Sequence, residues 1–175
     1  MGNKQRSQSI RRQGLRQSMQ LVRSPVSIML DGLHDPGNIG SILRLTNAFA
    51  IEGTYYRGKQ SLIRIHQAAV GTQHFEKLEQ VKEDELDEFL AGYDKIVAFD
   101  NRTGFQSFAL EDTVFHLGTK YLFIFGNETN GISIDLLRRS SRIVTITQRG
   151  LVGSLNVAIA AGIAVYEYNK QIFRA

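Results

Sequence analysis

The sequence contains no cysteine, which excludes a disulfide framework, a thiolate metal site and a cysteine nucleophile. It also lacks an apolar run long enough to cross a bilayer, and its N-terminus lacks the apolar core of a signal peptide. The histidines are few and are scattered without the spacing of metal ligands, so we expect no metal site. These absences favour a cytoplasmic protein without membrane association.

Several catalytic motifs are missing as well. The first predicted strand–helix turn has no G-x-G-x-x-G, and no acidic residue ends the second strand, which argues against a dinucleotide-dependent oxidoreductase. The absence of G-x-x-x-x-G-K-[ST] excludes a phosphate loop of the nucleotide-triphosphatase kind. Neither G-x-S-x-G nor a Ser-His-Asp arrangement presents itself. The remaining class is a protein that acts on nucleic acid and holds a cofactor through backbone groups.

Acidic residues are absent from residues 1–30, which carry six lysines and arginines. The other 15 basic residues are outnumbered by 17 acidic ones, so this segment carries +6 and the remainder −2. We interpret residues 1–23 as a basic arm, which is either a solvated leader, an RNA-binding segment that follows phosphates, or a helix packed on the body. Residues 24–175 are predicted to form one folded domain with its own hydrophobic core.

Short apolar runs alternate with amphipathic segments along the body of the chain. This pattern predicts an α/β domain with a mostly parallel sheet and helices on both faces. The predicted strands are Val26–Leu30, Gly53–Tyr56, Ile96–Phe99, Tyr121–Phe125 and Arg142–Ile146. One predicted helix begins after Asn38. The other predicted helices span Ile63–Val70, Asp84–Leu90, Ile134–Arg139 and Ser154–Tyr168. In such a sheet, the ligand site lies at the carboxyl ends of the strands.

Two glycine-bearing loops, residues 126–131 and 147–153, follow strands at this edge and look like the walls of a pocket. Ser154 is the expected N-cap of the last helix, and Asn38 is the expected N-cap of the first. Between Val157 and Tyr166 the last helix is apolar or small on every side, which indicates burial in the core or at a subunit interface.

Three motifs carry a resemblance to a known family. Asn38–Arg44 has the form N-x-G-x-x-x-R, Gly126–Gly131 has the form G-x-E-x-x-G, and Ser154–Val157 reads S-L-N-V. Their order and separation resemble the SpoU-type branch of the SPOUT superfamily, the trefoil-knotted RNA ribose 2′-O-methyltransferases. The resemblance covers about residues 24–170, which is nearly all of the folded body.

The resemblance implies a deep C-terminal trefoil knot that binds S-adenosylmethionine, and a homodimer in which each site is completed by the other subunit. The implied cofactor contacts, made largely through backbone groups, are Gly126, Ile146 and Leu155. The family's polar active-site positions correspond to Asn38, Arg44, Glu128, Ser154 and Asn156. Thr147 and Gln148 depart from the proline and methionine that relatives often carry at these two positions.

The implied activity is methylation of a ribose 2′-hydroxyl in tRNA or rRNA. Because a guanidinium hardly gives up its proton, we expect Arg44 to bind the adjacent phosphate and to orient the hydroxyl. We expect Glu128 to hold its loop through hydrogen bonds. Two alternatives remain open, namely a knotted RNA-binding protein without catalytic activity and an enzyme that methylates an RNA base.

Overall fold

Seven parallel strands build the sheet around which the chain folds, in the order β3-β2-β1-β6-β4-β7-β5. The structure is a computed structural model, and it describes residues 23–58 and 78–173. The strands are β1 (Ser24–Asp31), β2 (Ile51–Arg57), β3 (Leu78–Gln80), β4 (Lys95–Phe99), β5 (Phe108–Ala109), β6 (Tyr121–Gly126) and β7 (Arg142–Thr145). The parallel α/β sheet predicted from the sequence is therefore confirmed.

Helices cover both faces of this sheet, as predicted. The helices are α1 (Pro36–Ala48), α2 (Leu86–Ala91), α3 (Ile134–Arg139) and α4 (Val157–Phe173), and short 3-10 turns span Glu83–Glu85 and Leu110–Asp112. The apolar sides of α1 and α4 pack on one face, whereas α2 and α3 pack on the other. Each face of the sheet thus has its own hydrophobic core.

The strand β6 supplies side chains to both cores, because successive residues of a strand point to opposite faces. Tyr121, Phe123 and Phe125 pack with α1 and α4, whereas Leu122 and Ile124 pack with α2 and α3. All five side chains are buried. A strand buried on both faces reads as an unbroken apolar run, which is why the sequence indicated it so clearly.

The first helix begins earlier than predicted. Asp35, not Asn38, is the N-cap of α1, and its carboxylate accepts hydrogen bonds from the backbone N–H groups of Gly37 and Asn38. Pro36 occupies the first helical position, where its fixed φ is compatible with a helix and its missing N–H costs nothing. The side chain of Asn38 is consequently free to make contacts outside the helix.

The last helix begins later than predicted. Asn156, not Ser154, caps α4, since its side-chain oxygen accepts from the backbone N–H groups of Ala158 at 2.9 Å and Ile159 at 3.3 Å. The helix then packs Ala161, Ala164 and other small or apolar residues into the core. Its other side is exposed within the single chain.

Three predicted features are not decided by the described residues. Residues 1–22 of the basic arm and the predicted helix Ile63–Val70 lie outside them. Strand order and register do not define how the C-terminal segment threads, so the trefoil knot stays a prediction. In the part of the chain that the structure describes, no helix combines the length and apolar character needed to cross a membrane.

Candidate active site

A cavity of about 830 Å³ opens at the carboxyl edge of the sheet, between the segments after β4, β6 and β7. Its apolar wall includes Phe99, Phe125, Val144 and Leu155, and the rest of the lining is polar side chains and loop backbone. The two phenylalanine rings are stacked with their centroids 4.9 Å apart. The pocket predicted from the two glycine-bearing loops is therefore present where those loops meet.

The segment after β6, residues 126–131, forms one wall of the cavity. Asn127 and Gly131 exchange two backbone hydrogen bonds of 3.1 and 2.8 Å, which close the loop on itself. The side-chain oxygen of Asn127 accepts from the N–H groups of Thr129 and Asn130, and its amide nitrogen donates to the carbonyl of Gly32. Gly131 has a φ of +65°, which favours glycine.

Gly126 is required by the loop itself. A Cβ atom added at this position would lie 2.2 Å from the backbone of Gly131 and Ile132, far inside van der Waals contact. Because backbone atoms cannot rotate away as a flexible side chain can, any side chain here would displace the loop. The sequence predicts that this glycine makes room for a cofactor, and the structure adds an internal steric reason.

The loop after β6 is also held from both neighbouring strands. At the end of β1, the Asp31 carboxylate accepts from the N–H of Ser133 at 2.7 Å. At the end of β4, the Asp100 carboxylate accepts from the N–H of Ile132 at 2.9 Å, and the Arg102 guanidinium donates to the carbonyl of Asn130. Side chains from β1 and β4 therefore fix the wall that β6 provides between them.

An ion-pair cluster lies beside this loop, at the end of β2. Arg57 contacts the carboxylates of Asp31, Glu83 and Asp135 at 3.4, 2.8 and 3.1 Å, and it donates to the hydroxyl of Ser133 at 2.8 Å. Partial burial alone would raise the pKa of Asp135, but the Ser133 hydrogen bond and the positive charge of Arg57 outweigh it and lower that pKa.

Polar residues from all three motifs meet beside the cavity. Asn38 does not line it but bonds to Glu128 and Asn156, which do. The Asn38 amide nitrogen donates to the Glu128 carboxylate at 2.7 Å, and the Asn156 amide nitrogen donates to the Asn38 carbonyl oxygen at 2.9 Å. We call this arrangement the Glu128–Asn38–Asn156 relay. The donor and acceptor of each hydrogen bond in this relay are fixed from both ends. The Glu128 carboxylate only accepts, so Asn38 must donate to it; the N–H groups at the start of α4 only donate, so the Asn156 oxygen accepts from them and its nitrogen donates to Asn38.

The remaining predicted site residues divide into two groups. Gly126, Ile146, Ser154 and Leu155 line the cavity, as do Glu128 and Asn156 of the relay. Arg44 does not line it, and its side chain is exposed on α1. Within the described ranges, no hydrogen bond or ion pair engages the Arg44 guanidinium, which leaves it open to an outside ligand.

Sequence reasoning placed Asp100–Arg102 at this edge of the sheet but gave these residues no role. It also missed the part that Asn127 plays in closing its loop and the part that Arg57 plays beside it. One signal was available for Asn127, because an asparagine directly after a glycine at a strand end favours a turn that its own side chain closes. No comparable signal existed for Arg57, whose partners are distant in sequence.

The fold and the cavity together define an α/β domain with a cavity between two loops at the carboxyl edge of a parallel sheet, which is where sheets of this kind bind their ligands. The sequence profile of the SpoU rRNA methylase family matches residues 25–166, and the chain belongs to this family. The resemblance found in the three motifs is thereby confirmed over nearly the whole described body.

Individual relatives agree with this assignment. An uncharacterized tRNA/rRNA methyltransferase of Synechocystis is 30% identical over 167 residues, covering 89% of this chain and 59% of that protein. The tRNA (guanosine(18)-2′-O)-methyltransferase of Aquifex aeolicus is 25% identical, covering 90% of this chain and 74% of that protein. The chain spans about half the length of several curated relatives that it matches.

A solved structure shares the fold. The AdoMet-bound rRNA methyltransferase from Sinorhizobium meliloti superposes with a TM-score of 0.73 at 27% identity, over 83% of this chain and 56% of that chain. The parallel sheet is thus arranged in a fold already known from a solved rRNA methyltransferase.

Proposed function

We propose that this chain is an S-adenosylmethionine-dependent RNA methyltransferase that methylates a ribose 2′-hydroxyl in tRNA or rRNA. The observation that carries the proposal is the Glu128–Asn38–Asn156 relay, which joins the polar residues of three separate motifs beside one cavity. Further support comes from the Aquifex relative, whose name specifies 2′-O-methylation of a tRNA guanosine. The S. meliloti structure supports the cofactor, since that protein was crystallised with AdoMet.

The cavity suits a cofactor of this kind. Its volume of about 830 Å³ lies within the usual range for small-molecule sites. Its walls combine apolar side chains with backbone of the two loops, which matches a ligand that has both a flat purine and many polar atoms. Gly126, Ile146 and Leu155 are the residues that we expect to hold it, together with Ser154 and neighbouring loop backbone.

The chemistry places its main demand on positioning. When bound, S-adenosylmethionine supplies a sulfonium methyl group for in-line attack by a ribose 2′-oxygen, with a neutral thioether as the leaving group. Holding the hydroxyl in line is worth roughly 7–11 kcal/mol of the barrier. The relay provides a rigid polar rim for this purpose, because each of its three side chains is fixed by the next.

Arg44 serves the RNA side of the reaction in this proposal. Its guanidinium is exposed, and none of the described residues engages it, so it can bind the phosphate next to the target ribose. We assign it to orientation and not to proton removal, because a guanidinium is a poor base. The proton of the hydroxyl then passes to the neighbouring phosphate or to water as the new O–CH₃ bond forms.

Methyl transfer to separated RNA classes tests the proposal. The full chain is incubated with methyl-labelled S-adenosylmethionine and either unmodified tRNA or unmodified rRNA, and the RNA is then digested to nucleosides. The expected product is a 2′-O-methylated nucleoside from one of the two classes, and Asn38→Ala should give much less of it. Label on a base would identify a base methyltransferase instead. RNA binding without any label would favour a non-catalytic RNA-binding protein.

A further inference from the structure

Three consecutive side chains after β4 contact both loops that wall the cavity. Asp100 and Arg102 bind the loop after β6. Asn101 turns the other way, and its amide nitrogen donates to the carbonyl of Gly153 at 2.7 Å, in the loop after β7. Because β4 lies between β6 and β7 in the sheet, one short turn fastens the loops on either side of it.

The loop after β7, residues 147–155, has little other support. No backbone-to-backbone hydrogen bond connects these residues to the rest of the described chain, and all of them are exposed. At its start, the Thr147 side chain lies beside the Glu111 carboxylate, which also attracts Arg149, and just beyond its end Asn156 begins α4. Within the described residues, the bond from Asn101 is the one hydrogen bond that holds the stretch between these two ends.

The position of Gly153 matters because the next three residues belong to the site. Ser154 and Leu155 line the cavity, and Asn156 is part of the relay. A shift of the Gly153 carbonyl would therefore move two cavity residues directly. Gly153 itself gives the loop no steric anchor, since nothing lies within 4 Å of the position that a Cβ would occupy.

We propose that Asn101 is a positioning residue, which holds the loop after β7 against the cavity and thereby sets the affinity for the cofactor. The inference rests on the proposed function for the identity of the ligand. The position of the loop is independent of the ligand and can be measured without it. Asn101 acts through the Gly153 carbonyl, and no contact between Asn101 and the cofactor is required.

The expected loss of cofactor affinity depends on the strength of the hydrogen bond between Asn101 and Gly153. A single exposed hydrogen bond changes the balance between the held and released loop by about three- to tenfold. If only the held loop binds, the apparent dissociation constant rises as the held fraction falls, up to about tenfold.

Trypsin reports on the loop, because Arg149 lies within it and is exposed. We would treat the ligand-free full chain with trypsin and follow cleavage after Arg149 by fragment mass. Asn101→Asp keeps the shape of the side chain but removes the donor, and Asn101→Ala removes the donor without adding charge. Gln106→Glu is the matched control, since it makes the same amide-to-carboxylate change nearby at an exposed position that does not line the cavity.

Cleavage after Arg149 should be about three- to tenfold faster in both Asn101 variants and unchanged in Gln106→Glu. The dissociation constant for S-adenosylhomocysteine, measured by calorimetry, should rise in the same two variants, with the melting temperature close to that of the wild type. If Asn101→Asp does not fold, Asn101→Ala supplies the readout.

Unchanged cleavage after Arg149 would overturn the proposal, even if ligand affinity fell, because Asn101 would then contact the ligand directly. Faster cleavage with unchanged affinity would also overturn it, because the loop position would not set binding. If the wild-type chain bound neither S-adenosylmethionine nor its demethylated product, the proposed function would fail. The cleavage rates would still decide whether Asn101 holds the loop.

Discussion

Asn38 and Glu128 lie 90 residues apart in the chain, and their side chains share a hydrogen bond of 2.7 Å beside the cavity. Asn38 can make this contact because Asp35 takes over the capping of α1. A replacement of Asn38 therefore changes the polar rim of the site and leaves the start of the helix intact.

Asn38→Asp should make methyl transfer depend strongly on pH. Two ionised carboxylates at this distance repel each other, so lower pH should favour a form of the variant in which the two side chains share a proton and stay in contact. We expect single-turnover rates about ten- to hundredfold below wild type at pH 8, with a smaller deficit at pH 6. Gln106→Glu, at an exposed position that does not line the cavity, controls for the added charge. A deficit that is equal at both pH values would contradict the shared-proton explanation.

Gly126→Ala should damage both the fold and the cavity. The added Cβ meets loop backbone at 2.2 Å, so we expect the free energy of unfolding to fall by about 1–3 kcal/mol. Calorimetric titration with S-adenosylhomocysteine, in the presence of a chelator, should show at least tenfold weaker binding, and Gly126→Val should be worse. Gly150→Ala is the control, because nothing lies within 4 Å of its Cβ position. Wild-type affinity in Gly126→Ala would show that the loop tolerates displacement.

Arg44→Ala should lose methyl transfer while keeping cofactor affinity, because Arg44 lies outside the cavity. Arg44→Lys should fail nearly as badly, since an ammonium group does not reproduce the planar fork of donors. The rates are measured with RNA in excess and are compared with Arg138→Ala, an exposed arginine on α3. Substantial turnover by the alanine variant would remove Arg44 from the proposed mechanism.

Asp135 should make the free energy of unfolding depend on pH in the acidic range. Its pKa is lowered in the folded protein from an ordinary 3.8, so its stabilising effect is present above that value and is lost as the pH falls through the lowered pKa. Urea unfolding at pH 7 and pH 3 should therefore show a smaller acid-induced loss for Asp135→Asn than for the wild type. Asp84→Asn, at an exposed carboxylate without an ion pair among the described residues, should behave like the wild type. An equal loss in Asp135→Asn and the wild type would count against the coupling to Arg57.

The exposed side of α4 should form a homodimer interface. Ile159, Ile163 and Tyr166 are 56%, 38% and 55% exposed, and they recur along one side of the helix. Sedimentation at micromolar concentration should show a dimer, and Ile163→Glu should shift it toward monomer. Val114→Glu, at an apolar residue exposed elsewhere, should leave the dimer intact. A wild-type monomer would disprove the interface.

The parts of the fold that the sequence predicted well are those with a clear local pattern, either an unbroken apolar run or an amphipathic helix. The helix Ile134–Arg139 has the predicted bounds, and the strand that begins at Tyr121 differs by one residue. The edge strands Leu78–Gln80 and Phe108–Ala109 were not predicted. They are only three and two residues long, and they exist by pairing with a neighbour, so no local pattern indicates them.

The helix starts show a different limit. Asp35 and Asn38 are both good capping residues, and the choice between them depends on the backbone turn that Pro36 permits. The same holds for Ser154 and Asn156 at the last helix. The motifs pointed to Asn38, Glu128 and Asn156, but composition cannot show which atoms bond when the partners are 90 and 118 residues apart.

The central pair of the sheet has a consequence for how the molecule is made. Val26, in the first strand, pairs with Tyr121, and the strand of Tyr121 also pairs with that of Lys95. During synthesis, β1 and β4 therefore emerge from the ribosome before β6, the strand that pairs with both of them. The strand β6 is made only in the last third of the sequence. Because long-range parallel pairing is slow to form, both cavity loops and the relay should be late products of folding. The nascent protein would then complete the pairing of β1, β6 and β4 before its cavity can bind a ligand.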